Sequence, residues 1–535
     1  MEALHTGIYS VEPQTDGMKV VRESAVIARE YQDYLRDESN VNAPQVSVLF
    51  FPRSINHISE ILREAGEKGV QVTISGGRTG ICAGAVPDSR GYVVSLEKMN
   101  RILSIDRLKG EFSLSAESGL RLNEIAACLK ARDFPIKGDT VQELLSSGKS
   151  YFYPPDPTET TATLGGTVAT NASGARTLFY GPTRDYVVGM EVVLPGGEIL
   201  RIRRGDVCEK DGVFRVPRQK GNPMIIPAPT YEIPKTKHSA GLFSAKGMDL
   251  IDLFIGSEGI LGVIAAVTVR LMEEPPGFAS GVAFFPDEDK AVSFVERSRI
   301  GEFKPLALEY FDRDALRLLE EVRESQGPTS EIPQIDEFGA AVYFESAIGF
   351  GQEDGFKQIF SAWRKLIQEC GGNSSAAWGA MEKRDLLRLK VFRHAVPERV
   401  NMIIAQRKLK NPRIHKIGTD MAVPDSRLRE MVLFYRSMLE QERLRTVIFG
   451  HMGNNHLHVN IIPDSDDELE RAKVLYNKFA EKAVSLGGSV SAEHGIGKLK
   501  KEYLRVQYPA SVIEEMRTIK RALDPQMILN PGDMI

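Results

Sequence analysis

Three glycine-rich segments in the first half of the chain constrain its fold more than any other feature. The first, GGRTGICAGAVP (Gly76–Pro87), follows the apolar run Gln71–Ser75. The second lies within Pro154–Leu200, where TLGGTVATNASGA (Thr163–Ala175) is dominated by small residues. The third, DLFIGSEGILGVIAAVTVRL (Asp252–Leu271), places three glycines ahead of an apolar strand. Glycine is needed where backbone must approach another group closely or offer its N–H groups to a phosphate. The first segment does not fit the GxGxxG or Walker spacing, and taken alone it reads equally well as a surface loop. Three such segments in one domain point to a backbone cradle for a large, flat ligand.

The elements around them read as follows. Val46–Ser54 is a strand, Ile55–Val70 a helix ended by Gly69, and Gln71–Ser75 a second strand. Tyr92–Gly119 reads as short strands with turns, and Arg121–Asp133 as a helix. This is α+β ordering, not a repeated Rossmann βαβ unit. A chain of 535 residues is too long for one core and calls for two or three domains. Residues 1–40 read as a polar helical arm and 41–275 as the glycine-bearing domain. A Pro-, Gly- and Lys-rich insertion at about 205–245 reads as a surface loop. The break at Glu273–Gly277 starts a second domain, 276–490, with a strand at Gly281–Pro286 and a helix at Glu288–Ile300. Residues 491–535 form a last segment, whose helix is closed by Pro525.

The formal net charge of −4 argues against a nucleic-acid binder. Cys82, Cys128, Cys208 and Cys370 are isolated, so no iron–sulfur site, cysteine–zinc site or disulfide framework is expected. The N-terminus has no apolar signal core, and no apolar run is long enough to span a bilayer. The expectation is a soluble cytoplasmic protein, with peripheral membrane contact left open.

GHMGNNHLHVN (Gly450–Asn460) holds three of the nine histidines, between runs that read as strands, Thr446–Gly450 and Leu457–Ile462. The spacing is not that of a zinc finger, and no cysteine is adjacent. The stretch therefore leaves open whether these imidazoles bind anything. SVSAEHGIGKLKK (Ser489–Lys501) adds Glu493 and His494.

In chain order, GGRTGICAGAVP, LGGTVATNASG, YGPTRDYVVGMEVVLPGGE, DLFIGSEGILG, HMGNNHLH, EHGIG and LDPQMILNPG form a specific set. With them the chain resembles the FAD-linked oxidoreductases of the vanillyl-alcohol oxidase fold class. The nearer likeness is to the D-lactate and D-2-hydroxyglutarate dehydrogenase (glycolate oxidase FAD-subunit-like) branch, over residues 40–535. The resemblance implies a two-subdomain FAD-binding domain of the PCMH type and an α/β cap with an antiparallel sheet. The C-terminal segment would return to the FAD domain and complete the active site. Gly76, Gly77, Thr79, Gly80 and Gly84 would cradle the FAD pyrophosphate. Gly165, Gly166, Asn171, Gly174, Arg184 and Asp185 would lie along the flavin and ribityl chain. Glu258, Gly259 and Ile264 would contact the adenosine side, and Asn530 the isoalloxazine edge. Some relatives tether FAD through a histidine in the first glycine segment; Gly76–Pro87 has none, which implies non-covalent FAD.

By the same resemblance, His451, His458 and Glu493 would hold a divalent metal, zinc being the first choice. Two imidazoles and a carboxylate leave coordination positions open, as catalytic sites do. Where the family commonly has GDGN, this chain has Gly453–Asn454–Asn455–His456. His456 is then a further ligand, a group behind the ligands, or neither. Arg393 would pair with the substrate carboxylate, Asn460 would contact substrate, and His494 would be the general base. A family lysine two residues before the Asp of HKIGTDMAVP is replaced by Gly418, with Lys416 further back.

The implied reaction is oxidation of a D-2-hydroxy acid to its 2-oxo acid, with hydride transfer to flavin N5. Electrons would pass to a separate acceptor: an electron-transfer flavoprotein, a quinone or an iron–sulfur subunit. A homodimer is compatible with this. Two other readings stand beside it. One is an alkyl-dihydroxyacetone-phosphate synthase-like flavoenzyme without net redox; its phosphate-bearing substrate would call for more cations near the histidine motif than the sequence places there. The other is a flavin-free metal hydrolase.

Overall fold

The computed structural model describes residues 6–9, 17–43, 45–88, 90–301, 304–327, 330–332, 334–335, 338–349 and 355–535. Short apolar runs build two sheets in the N-terminal half. In the first, Val48–Phe51, Tyr92–Ser95 and Val72–Ser75 run parallel, and Lys19–Val21 adds an antiparallel edge. Val48–Phe51 and Tyr92–Ser95 are buried throughout, as parallel strands covered on both faces are. Helix Ile55–Lys68 makes the crossover. The Ser54 hydroxyl caps its start by accepting from the His57 N–H, and Gly69, left-handed at φ 63°, ends it. The second sheet is antiparallel, in the order Gly7–Tyr9, Ile199–Arg203, Val187–Val193, Val263–Arg270, Glu111–Glu117, Ile102–Leu108.

Two sequence expectations need correction. The N-terminal residues are not a helical arm: Gly7–Tyr9 and Lys19–Val21 each join a sheet, and Ser24–Glu30 is the one α-helix among the described residues there. Residues 1–5 and 10–16 lie outside the described residues. Nor is 205–245 a surface loop. It forms the hairpin Val213–Val216/Met224–Pro227 and then turns inward, burying Tyr231, Ser239, Ala240 and Leu242. Proline and glycine erase any periodicity there, but isolated apolar side chains still anchor the segment.

The cap is an antiparallel sheet in the order Trp378–Ala380, Phe278–Phe285, Ala340–Ala347, Ala307–Asp312, Thr446–Gly450, His456–Ile461, Ile417–Gly418. Helices Glu288–Arg299, Arg313–Gln326, Gly355–Glu369 and Lys383–Lys410 accompany it. The chain returns to the first sheet at its far end: Val72 N–H donates to Ile528 O and Asn530 N–H to Val72 O, each at 2.8 Å. One apolar core runs through both domains, from Ile8 to Met534. Among the described residues no helix is long and apolar enough to cross a membrane.

Candidate metal and flavin site

The histidine turn is a hairpin in strict register, with Phe449 opposite His458 and Thr446 opposite Ile461. His456 and His458 lie two apart on one strand, so their rings share a face, with centroids 4.4 Å apart. The turn through Met452–Asn454 and left-handed Asn455 swings His451 onto the same side. Gly450 makes this possible. Its φ is 127°, and a Cβ there would lie 2.7 Å from the His458 ring.

His451, His456, His458 and Glu493 each offer a ligand atom, and these atoms all lie within 4.8 Å of one another. His451 Nδ1 is 2.7 Å from Glu309 Oε1, which leaves Nε2 toward Glu493 Oε2 at 3.4 Å. His458 Nδ1 is 3.0 Å from the Thr419 carbonyl, so it carries its proton there and frees Nε2. An imidazole whose far nitrogen is held by a carboxylate or a carbonyl is the usual arrangement around a metal ligand. His456 is fully buried. Its Nε2 lies 3.1 Å from Asp420 Oδ1 but off the line a hydrogen bond needs, so neither ring nitrogen has a hydrogen-bond partner. A buried polar group without a partner costs about 1–3 kcal/mol, which a metal ion would remove. The structure thus draws His456 into the cluster beside the three expected ligands.

Electrostatics follow from burial and crowding. Burial, and then the neighbouring imidazoles, hold His458 well below its usual range, and burial pushes His456 down to about 4. Burial opposes charge on His451 too, but Glu309 and Glu493 outweigh it and raise His451 to about 9. Burial opposes ionisation of Glu493, yet Lys237 and His451 hold it well below the carboxylate range.

Asp420 is the pivot of the site. It is 1% exposed and accepts from the backbone N–H of Glu493 (3.2 Å) and His494 (3.1 Å), the Ser491 hydroxyl (2.6 Å) and Lys500 Nζ (2.7 Å). Its Oδ2 also lies 3.3 Å from His494 Nδ1. One carboxylate therefore locks the Glu493–His494 backbone and orients the His494 ring, which stays partly exposed.

Arg393 lies on the helix Lys383–Lys410. Among the described residues its guanidinium makes no hydrogen bond or ion pair; burial opposes its charge, but Glu309, Tyr343 and Asp156 raise its pKa. Asn460 is buried, donates to His458 O at 3.1 Å, and turns Oδ1 toward Gly418. Lys416 is spent on Asn401, at 3.0 Å. The cation that reaches the cluster is Lys237, from the supposed surface loop. It pairs with Glu493 Oε1, where the Ser173 hydroxyl also donates at 3.3 Å. Sequence reasoning missed Lys237, Glu309 and Asp420 as site residues. Glu309 had a signal, a carboxylate flanked by apolar residues in the strand Ala307–Asp312; Lys237 had none.

The glycine segments converge as expected. Gly77 abuts the backbone of Thr161–Thr163, Gly76 faces Thr163 Oγ1, and Gly84 faces Asp533. Gly165 and Gly166 open the short helix Leu164–Ala169. Thr79 and Gly80 lie in the same first loop, and Ile264 is buried in the central strand Val263–Arg270. Asn530 ties two segments together: Oδ1 accepts from Ile74 N–H at 2.9 Å and Nδ2 donates to Glu258 O at 2.7 Å. Arg78, Ala83, Asn171 and Glu258 are non-glycine residues with positive φ within these segments, and Asn530, which ties two of them together, is another. Such backbone is costly and clusters at ligand sites. The Ser95 and Ser118 hydroxyls lie buried without partners next to the converging segments. This arrangement fits a cofactor cradle.

Other roles shift. Glu258 points at the C-terminal segment, accepting from Ile496 N–H (2.7 Å) and Gly497 N–H (2.6 Å). Arg184 braces Asp252, at 2.6 Å to its carbonyl and 3.0 Å to Oδ1. Gly174 packs on the Asp156 backbone, Gly259 on Asn530, and Asp185 sits against Gly181.

Residues 46–203 match an FAD binding domain family, and residues 274–534 match the C-terminal domain of FAD linked oxidases. The chain belongs to the FAD-linked oxidases. The chain is 29% identical over 488 residues to glycolate oxidase subunit GlcD of Bacillus subtilis, covering 90% of this chain and 87% of that one. It is 28% identical to a D-lactate dehydrogenase of Anaerostipes hadrus, over 94% of this chain and 92% of that one. It is 25% identical to a D-2-hydroxyglutarate dehydrogenase of Xanthomonas citri pv. viticola, over 98% and 96%. Its fold is shared by a solved alkyldihydroxyacetonephosphate synthase, at 15% identity and a TM-score of 0.61, covering 98% of this chain and 86% of that chain.

Proposed function

We propose that this enzyme converts a D-2-hydroxy acid to its 2-oxo acid. It would use non-covalent FAD and a divalent metal, zinc by its donor set, held by His451, His458 and Glu493 with His456 beside them. The observation that carries the reading is the buried group of three imidazoles and a carboxylate within 4.8 Å, next to an unengaged Arg393 and a partly exposed His494.

Each side chain has a task. Arg393 meets the substrate carboxylate, and its planar fork suits two parallel hydrogen bonds. Asn460 borders the same space. Asp420 holds His494 Nδ1, so Nε2 is free to take the hydroxyl proton. A divalent ion held by His451, His458 and Glu493 would make that proton easier to remove, and FAD in the glycine cradle would supply the two-electron acceptor for the hydrogen at Cα. Two electrons then pass to a separate acceptor, an electron-transfer flavoprotein, a quinone or an iron–sulfur subunit, because the sequence carries no iron–sulfur or haem motif of its own. The FAD binding domain match speaks against a flavin-free hydrolase.

The test is anaerobic mixing with paired D- and L-2-hydroxy acids. D-isomers are expected to bleach the flavin band, and removal of metal by a chelator to stop it. A panel in which no 2-hydroxy acid bleaches the metal-loaded enzyme refutes the reading.

A further inference from the structure

A cavity of about 460 Å³ opens between the two domains, behind the histidine turn. That volume suits a small-molecule ligand. Lys235, Lys237, Arg299 and Lys304 line it, with Asp425 as the only carboxylate among the described lining residues. Lys237 is paired with Glu493 and Arg299 with Asp425, so Lys235 and Lys304 leave two uncompensated positive charges. The cations that the sequence does not place beside the histidine motif thus arrive from separate stretches of chain.

The charges are not all internally satisfied. Asp425 is engaged by Arg299 at 3.0 Å and by the Asn455 amide at 2.6 Å. Among the described residues, Lys235 and Lys304 make no ion pair or hydrogen bond. Arg299 is 11% exposed at its side chain, and its Nε is buried without an acceptor. Asn454 Oδ1 is also buried and unpartnered. A cleft of one sign concentrates ligands of the opposite sign.

The cavity shares a wall with the metal cluster. Lys237 lines it while its ammonium pairs with Glu493. Gly453, Asn454 and Asn455 also line it, and they join His451 to His456. We propose that the cavity seats a second anionic group on the substrate, a phosphate monoester on the same 2-hydroxy acid that meets Arg393 and the cluster. This rests on the 2-hydroxy-acid reading above. A phosphate is favoured over a second carboxylate because its dianion matches the two unpaired ammonium groups of Lys235 and Lys304. Its three oxygens also use their donors more fully than a carboxylate's two.

The experiment uses the FAD- and metal-loaded enzyme and two probes. Inorganic phosphate binding, followed by calorimetry, is compared between the parent and Lys235→Ala/Lys304→Ala. Both residues are exposed, and Lys235→Arg/Lys304→Arg checks that charge is the cause. D-glycerate and its 3-phosphate ester are then compared as substrates. The phosphorylated acid should show the lower KM by at least about tenfold, and the alanine pair should weaken phosphate binding by on the order of tenfold per cation removed. The alanine pair should also erase the substrate preference, and the arginine pair restore it. Equal phosphate binding in parent and alanine pair overturns the proposal, as does a preference that survives the alanine pair. If phosphate binds as expected but neither acid bleaches the flavin, the cavity remains an anion site and its assignment to the substrate falls with the reaction.

Discussion

Replacing Asp420 by asparagine strips the site of its pivot, and the cost can be worked from its partners. The Asp420 carboxylate and Lys500 ammonium are 1% and 12% exposed and 2.7 Å apart. Burial opposes the carboxylate's charge, but His494 and Lys500 hold its pKa well below the usual range. Removing one partner of such a pair leaves the other buried and unpaired, at about 3–5 kcal/mol. Asparagine also turns an N–H₂ toward donors whichever way it flips. With urea slopes of about 1–3 kcal/mol per M, the cap's midpoint should fall by roughly 1–5 M. Both tryptophans, Trp363 and Trp378, lie in the cap, so intrinsic fluorescence reads this transition and not that of the FAD domain. Asp420→Asn/Lys500→Met removes the stranded ammonium and should recover about half or more of the loss. Losses in the two single variants that simply add in the double variant would show that the pair is not coupled, and would refute the assignment of Asp420 as the pivot.

Three further outcomes follow from the site. His458→Ala should lose its metal, measured by elemental analysis, yet keep its flavin spectrum, because the glycine segments lie in the other domain. Arg393→Lys should raise the KM for the acid by roughly tenfold or more despite its retained charge, since an ammonium cannot reproduce the guanidinium fork; an unchanged KM removes Arg393 from carboxylate binding. Burial raises Glu258 to about 7 against the pull of the Ile496 and Gly497 N–H groups. For a carboxyl with a raised folded pKa, stability is fully present below the unfolded value, near 4.5, and is lost as pH rises through about 7. The FAD-free parent should therefore lose about 3 kcal/mol relative to Glu258→Gln between those limits, and parallel stability–pH curves for the two would contradict it.

Much of the fold was legible because its signals are local. Gly69 ends its helix where capping chemistry puts it, and the hairpin around the histidines follows from two apolar runs joined by a polar turn. The motif order pointed to the family. What stayed hidden depends on distant partners. Lys237 sits in a stretch of proline, glycine and lysine with no periodicity, and only the packing of Tyr231, Ala240 and Leu242 shows that it turns inward. Arg184 looks like a cofactor contact in sequence, but its donors are taken by a buried Asp252 that is far from it in the chain. Gly77, read as a phosphate-approach position, and Gly174, read as lying along the flavin, are required where one stretch of protein backbone lies against another.

The stitching at Asn530 has a consequence for how the enzyme is made. Residues from Gly76 to Ile264 leave the ribosome well before Glu493, His494 and Asn530. The 266 residues between Ile264 and Asn530 (530 − 264) take roughly 15–50 s to synthesise at the usual rate of chain growth. For that interval the N-terminal half has its strands but lacks the segment that pairs with Val72 and joins Ile74 to Glu258. A nascent chain halted before Glu493 would expose that unpaired edge and hold FAD poorly, so cofactor loading belongs after synthesis of the cap.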